Sequence, residues 1–211
     1  MKITILTDNP KSWVLPYIED LKKKLCIHDV NHIFSSKEIK KGDLMLILSC
    51  ESILKKSHLS YHTSNIVVHP SKLPMGKGWS PVAWQILDGF DKIPLSLFEA
   101  NEKVDAGDIY ILDYFYLKGG ELNDEIKHKQ GTKTIEMVLK YIENFATIEG
   151  VPQTGEETFY KKRSIKDSQL DINKTIKEQF NLLRVVDNER YPAFFFKDGQ
   201  KYKLKILKAD D

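Results

Sequence analysis

The sequence predicts an α/β fold with a mostly parallel sheet, helices on both faces, and a small C-terminal helix and β-hairpin region. Three observations carry this reading. Short apolar runs alternate with helix-period stretches through residues 1–150, and the connections between them are short. One of those runs ends at a histidine followed by a proline- and glycine-rich loop, as at the carboxyl end of a buried strand. Near the end of the chain, Asp198-Gly199 separates two apolar runs, which is a hairpin signal.

The elements follow in order. Ile3 to Leu6 is a short apolar strand, and Thr7 to Ser12 is a polar loop with helix-start chemistry. Trp13, Tyr17, Leu21 and Leu25 recur every four residues, so Trp13 to Leu25 predicts a helix with Pro16 in its first turn. Val30 to Phe34 and Leu44 to Leu48 read as strands, with Gly42-Asp43 turning between them. Ser52 to Tyr61 reads as a short helix or turn, and Asn65 to Val68 as a buried strand. Val82 to Leu87 is a helix that Asp88-Gly89 ends. Pro94 to Phe98 and Ile109 to Leu117 are strands, and Glu121 to Phe145 is a long helix with Gly131 as its weak point. Gly150 to Gly155 is the expected linker, dividing residues 1–150 from an extension over 151–211. In that extension Lys174 to Val186 predicts a helix, and Tyr191 to Phe196 meets Tyr202 to Leu207 as the hairpin.

With 211 residues the chain suffices for one ordinary α/β domain and an appendage. Apolar residues at 41% and charged residues at 29% describe a soluble globular protein. A net charge of +2 argues against a nucleic-acid surface, and Lys22-Lys23-Lys24 reads as a wet helix face. Cys26 and Cys50 form no metal or redox spacing, so no metal is expected and a reducing cytoplasm is. No apolar run is long enough for a bilayer, and Met1-Lys2 leads directly into a strand, so no membrane is expected as a partner.

The chemistry centres on His69-Pro70-Ser71-Lys72-Leu73-Pro74-Met75-Gly76-Lys77-Gly78. A strand-end histidine can exchange protons near neutral pH. A second signal, Val104-Asp105-Ala106-Gly107-Asp108, supplies a carboxylate to orient it. Asp108 competes with Asp105 for that role, or caps the next strand. Trp79 and Trp84 suit either stacking on a flat ligand or core packing. Asn9, Lys11 and Ser12 follow the first strand, where a helix start can meet a phosphate, although no Gly-x-Gly-x-x-Gly is present. The other histidines, His28, His32, His58, His62 and His128, have no such context.

His-Pro-Ser-x-Leu-Pro-x-x-x-Gly, then Pro81 and a helix, then Asp-x-Gly-Asp, resembles the formyltransferases that use 10-formyltetrahydrofolate. The likeness covers about residues 1–160, with a weaker likeness to Leu207. It implies a Rossmann-like catalytic domain over 1–150, with His69 and Asp105 catalytic. Gly78, Trp79 and Asp108 would then touch folate or substrate, and Asn9, Lys11 and Ser12 the acceptor phosphate. The family usually has asparagine two residues before the histidine, to donate to the formyl oxygen. Here Val67 stands there, leaving Asn65, Ser71 or a backbone N–H as the alternatives. Asn65 lies one pleat back on the same face, about 7 Å away. Within the family, the small extension, the glycine-free first loop and Lys11-Ser12-Trp13 look most like the sugar N-formyltransferases. The expected partners are folate and a nucleotide-linked amino sugar of the 4-amino-4,6-dideoxy type, with no nucleic acid. The aromatic hairpin implies a homodimer. The alternatives are glycinamide ribonucleotide as acceptor, or an impaired relative that only binds folate or a nucleotide.

Overall fold

A computed structural model describes residues 1–209. The first half runs β1 (Lys2–Leu6), α1 (Leu15–Lys24), β2 (Asp29–Ile33), β3 (Gly42–Ile47), α2 (Lys56–Leu59), β4 (His62–His69), β5 (Lys77–Gly78) and α3 (Pro81–Leu87). It continues through β6 (Lys92–Glu99), β7 (Ile109–Tyr116), α4 (Asn123–Glu143), β8 (Phe159–Tyr160), α5 (Phe180–Val185), β9 (Ala193–Lys197) and β10 (Gln200–Leu204).

The six-stranded sheet has the order β2-β1-β3-β4-β6-β7. Its first four strands are parallel, β6 runs antiparallel to both its neighbours, and β7 runs in the direction of the first four. The chain therefore moves outward from β1 in one direction to β2 and in the other to β3. That reversal opens a crevice at the carboxyl ends of the strands, where such sheets take their ligands.

Strand alternation splits the core. Ile3, Ile5, Leu44, Leu46, Ile66 and Val68 face one side, with α1, α3 and α4 packed over them. Leu6, Met45, Ile47 and Val67 face the other, covered by Ile39, Leu54 and Leu59 around the one-turn α2. Both faces carry helix, but unequally. The long helices all lie on the first face.

Gly131 is no weak point of α4. A Cβ there would lie 2.8 Å from the Tyr17 ring carbons, so the missing side chain is what lets α1 approach α4. The expected helix over Lys174–Val186 shrinks to Phe180–Val185. Upstream, Thr175 and Glu178 cap each other's backbone N–H groups, and the Gln179 amide bonds the carbonyls of Asp171 and Lys174. The Thr175–Glu178 pair is a helix-start device, so helical turns begin no earlier than there, and the Gln179 amide occupies carbonyls upstream of it.

The hairpin packs Ala193, Phe195 and Leu204 against Leu170, Leu183 and Val186 in a small core of its own. Arg184, 2% exposed, ties this unit to the sheet by pairing with Glu121 and Asp91. The segment beyond residue 150 also returns to the first unit. Val151 bridges Ile109, and β8 pairs in parallel with β5.

Candidate active site

A cleft of about 490 Å³ opens at the carboxyl ends of β3 and β4. It straddles both faces of the sheet. On the α2 side its wall is apolar, with Ile47, Leu54, Leu59, Val67, Phe98 and Ala100. On the α4 side it meets Trp13, Val68, Gln130 and Thr134. His69 and Asp105 lie in its lining, where the two halves join.

His69 ends β4 and is buried. Its Nε2 lies 2.8 Å from the Gly76 carbonyl oxygen. A carbonyl only accepts, so Nε2 carries a hydrogen and donates it. Nδ1 is then the nitrogen that gains or loses a proton, and it faces Asp105 Oδ2 at 3.7 Å. Asp105 sits at φ +50° in the loop between β6 and β7, a left-handed conformation that aspartate tolerates better than most residues. Its Oδ2 accepts the Gly78 backbone N–H at 2.9 Å. Gly78, at φ +92°, has no room for a side chain: a Cβ would lie 2.7 Å from the Tyr160 carbonyl oxygen.

The two aromatics singled out in the sequence divide. Trp79 lines the cleft mouth, and the Lys162 ammonium sits 4.0 Å from its ring centroid while pairing with Glu51. Trp84 instead donates its indole N–H to the Lys161 carbonyl outside the cleft.

Several other expected positions lie elsewhere. Asn65 does not reach the histidine. It lies four residues and roughly 13 Å along β4 from His69, and its Nδ2 donates to the Leu59 carbonyl. Its backbone N–H is taken by Glu99 at 2.6 Å. Ser71 is buried outside the cleft lining, with no partner for its hydroxyl among the described residues. Asp108 is exposed at the start of β7 and also outside the lining, so of the two acids only Asp105 meets the histidine. Asn9 and Lys11 form a local turn, Asn9 Oδ1 accepting the Lys11 N–H. Ser12 spends its hydroxyl on Ser49 at 2.8 Å. Helix α1 starts only at Leu15, so the Asn9–Ser12 loop offers no helix N-terminus to a phosphate.

Val67 lines the cleft without a side-chain donor. Other donors there lack a protein partner among the described residues, among them the amides of Asn101 and Gln130 and the hydroxyl of Thr134, a residue 7% exposed. Sequence reasoning missed them. Gln130 and Thr134 sit one turn apart on α4, where polar residues at helical spacing read as a wet face. Cys50 also lines the cleft, but burial and then the nearby Asp8 carboxylate push its thiol up to about 12. It stays protonated and is no nucleophile at neutral pH.

A family described as formyl transferase matches residues 21–140. The methionyl-tRNA formyltransferase of Lachnospira eligens is 27% identical over 173 residues, covering 80% of this chain and 54% of that protein. The chain thus spans about half the length of the curated relatives it matches. Among solved structures, a methionyl-tRNA formyltransferase from Clostridium thermocellum superposes with TM-score 0.84 at 21% identity, over 100% of this chain and 94% of that one. A sugar N-formyltransferase from a Shewanella species gives 0.74 at 15% identity, over 100% and 99%. HypX from Aquifex aeolicus, in complex with tetrahydrofolic acid, gives 0.82 at 20% identity, over 98% and 37%. These likenesses establish the fold, and the matched segment, more than half of the sequence, establishes the lineage: the chain belongs to the formyl transferase family.

Proposed function

We propose that this chain transfers a formyl group from 10-formyltetrahydrofolate to the amino group of a nucleotide-linked sugar of the 4-amino-4,6-dideoxy type. The observation that supports transfer is the orientation of His69. Its Nε2 is committed to Gly76, and its Nδ1 is left facing a carboxylate inside a cleft. In the reaction the acceptor nitrogen bonds to the formyl carbon, and the bond from that carbon to the folate nitrogen breaks. The acceptor loses one proton and the folate nitrogen gains one. Nδ1 of His69 takes and returns that proton, while Asp105 stabilises the imidazolium formed in between. The apolar half of the cleft suits a flat pterin, and the half lined by Trp13, Gln130 and Thr134 suits a hydroxyl-bearing acceptor.

The sugar is favoured by the near-neutral charge and by similarity to solved sugar N-formyltransferases. Methionyl-tRNA is the second reading, because the curated relatives bear that name. A homodimer through the hairpin belongs to the first reading, since Phe196 and Tyr202 remain about half exposed there.

The test mixes the purified chain with 10-formyltetrahydrofolate and a panel of acceptors. These are nucleoside diphosphate-linked 4-amino-4,6-dideoxy sugars, glycinamide ribonucleotide and methionyl-tRNA, with formylated product read by mass spectrometry. Product from the sugars alone is expected. Product only from tRNA overturns the sugar assignment, and tight folate binding with no transfer to any acceptor makes the chain a binding protein.

A further inference from the structure

The proton-transfer pair is held from outside the stretch that carries it. His69 and Asp105 both lie within residues 21–140, the region shared with the family. Yet their supports come from the segment that follows. Gln153 Nε2 donates to two carbonyls of the Asp105 loop, that of Asp105 itself at 3.0 Å and that of Gly107 at 2.8 Å. Both acceptors are carbonyls, which fixes the amide orientation. The Oε1 of Gln153 is left buried without a partner among the described residues. An unpartnered buried oxygen is a cost that a merely space-filling residue would not retain. On the other side of the cleft, Thr158 Oγ1 accepts the Gly76 backbone N–H at 2.8 Å. The carbonyl of that same Gly76 accepts from His69 Nε2. The β5–β8 pairing then locks the Gly78 end, whose N–H binds Asp105.

We infer that Gln153 and Thr158 are positioning residues for the transfer reaction, Gln153 acting through Asp105 and Thr158 through Gly76 and His69. This rests on the proposed roles of His69 and Asp105. The segment spans both sides of the cleft, so it sets the separation of Nδ1 and Oδ2 that each strand alone leaves open. A misplacement of about 1 Å at such a pair costs roughly 100-fold in rate.

The experiment measures steady-state rates with the best acceptor of the panel, together with amide hydrogen exchange by mass spectrometry. Gln153→Met, which keeps length and loses both donors, is expected to lower kcat about 10- to 100-fold with KM for the folate within about twofold. In an Asp105→Asn background it is expected to add little, because a residue acting through Asp105 has nothing left to position. Thr158→Val is expected to fall similarly, while Thr158→Ser, which keeps the accepting hydroxyl, restores most of the rate. Exchange at Gly78 is expected to quicken in Gln153→Met, a readout that needs no turnover. Unchanged kcat and unchanged Gly78 exchange in Gln153→Met would overturn the inference. So would equal losses in Thr158→Val and Thr158→Ser, or a full additional loss from Gln153→Met in the Asp105→Asn background. If Asp105→Asn alone is as active as the parent, the functional reading has failed instead, and the exchange result still judges the support that Gln153 gives the Asp105 loop.

Discussion

Oδ2 of Asp105 is shared: it accepts the Gly78 N–H at 2.9 Å and faces His69 Nδ1 at 3.7 Å. The acid is therefore fastened to the loop that the histidine begins, and the two cannot drift apart independently.

Removing either member should stop the reaction. His69→Ala and Asp105→Asn are each expected to lower kcat by about 100-fold or more, the usual range for a positioned acid–base group. Asparagine tolerates the left-handed backbone at position 105, so the Asp105→Asn melting temperature should stay close to that of the parent. Near-normal turnover in either variant removes that residue from the mechanism.

Position 67 tests the missing donor. Val67 lines the cleft two residues before His69. Val67→Asn is expected to leave the rate unchanged or raise it, because an oxyanion donor is worth roughly 100- to 1000-fold where the geometry allows it. A folded variant with much lower turnover would show that the valine belongs to a different donor arrangement, such as one using Asn101 or Gln130.

Stability should fall on acidification in two stages. Burial lowers the pKa of His62 and of His32, each below its ordinary 6.5. The unfolded chain then binds more protons than the fold, so stability is full above about 6.5 and is lost as pH drops beneath it. For Glu121, burial pushes upward, but the Lys118 backbone N–H and Lys129 outweigh it and bring the carboxyl down to about 2. Its contribution is full above the ordinary 4.5 and disappears as pH falls toward 2. Thermal melts across pH check both stages, and His62→Gln should flatten the upper one. A melting temperature constant from pH 7 to 5 would refute the histidine assignment.

The contact between α1 and α4 predicts a reversal of helix propensity. Gly131→Ala would ordinarily stabilise a helix interior by about 1 kcal/mol. Here the added methyl meets the Tyr17 ring at 2.8 Å, and overpacking of this kind costs about 1–3 kcal/mol. Chemical denaturation should show net destabilisation, relieved when Tyr17→Leu is combined with it. A more stable Gly131→Ala single variant would contradict the packing.

The hairpin bears on assembly. Phe195 stacks on Tyr202 and packs on its own small core, whereas Phe196 stays 45% exposed. Sedimentation at micromolar concentration is expected to give a dimer that Phe196→Asp dissociates. A monomeric parent removes the dimer from the proposal.

Much of this was legible in the residues. The strands announced themselves as apolar runs, α4 by its helical spacing, and the hairpin by Asp198-Gly199. The meeting of His69 with Asp105 was legible because each ends or follows a buried strand inside a distinctive loop. What could not be read depended on distant partners. Asn65 is on the right face of β4, but its amide is claimed by Leu59, and no local pattern says so. Gly131 looked like a defect until the ring of Tyr17 filled the space. Gln153 stands in a stretch of proline and glycine that reads as a linker, and only the folded loop gives its two hydrogens a destination.

The parallel pairing of β5 with β8 also sets an order of events. Gly76 and Thr158 are 82 positions apart, so the loop that orients the histidine gains its partner only once residue 158 has been made. Contacts this distant in sequence carry a large loop-closure cost and form late. During synthesis the sheet and the cleft walls, all drawn from residues up to Thr134, can assemble before the loop that holds His69 is fastened. In a nascent chain the loops of His69 and Asp105 therefore stay unsupported until residues 153–160 have been made.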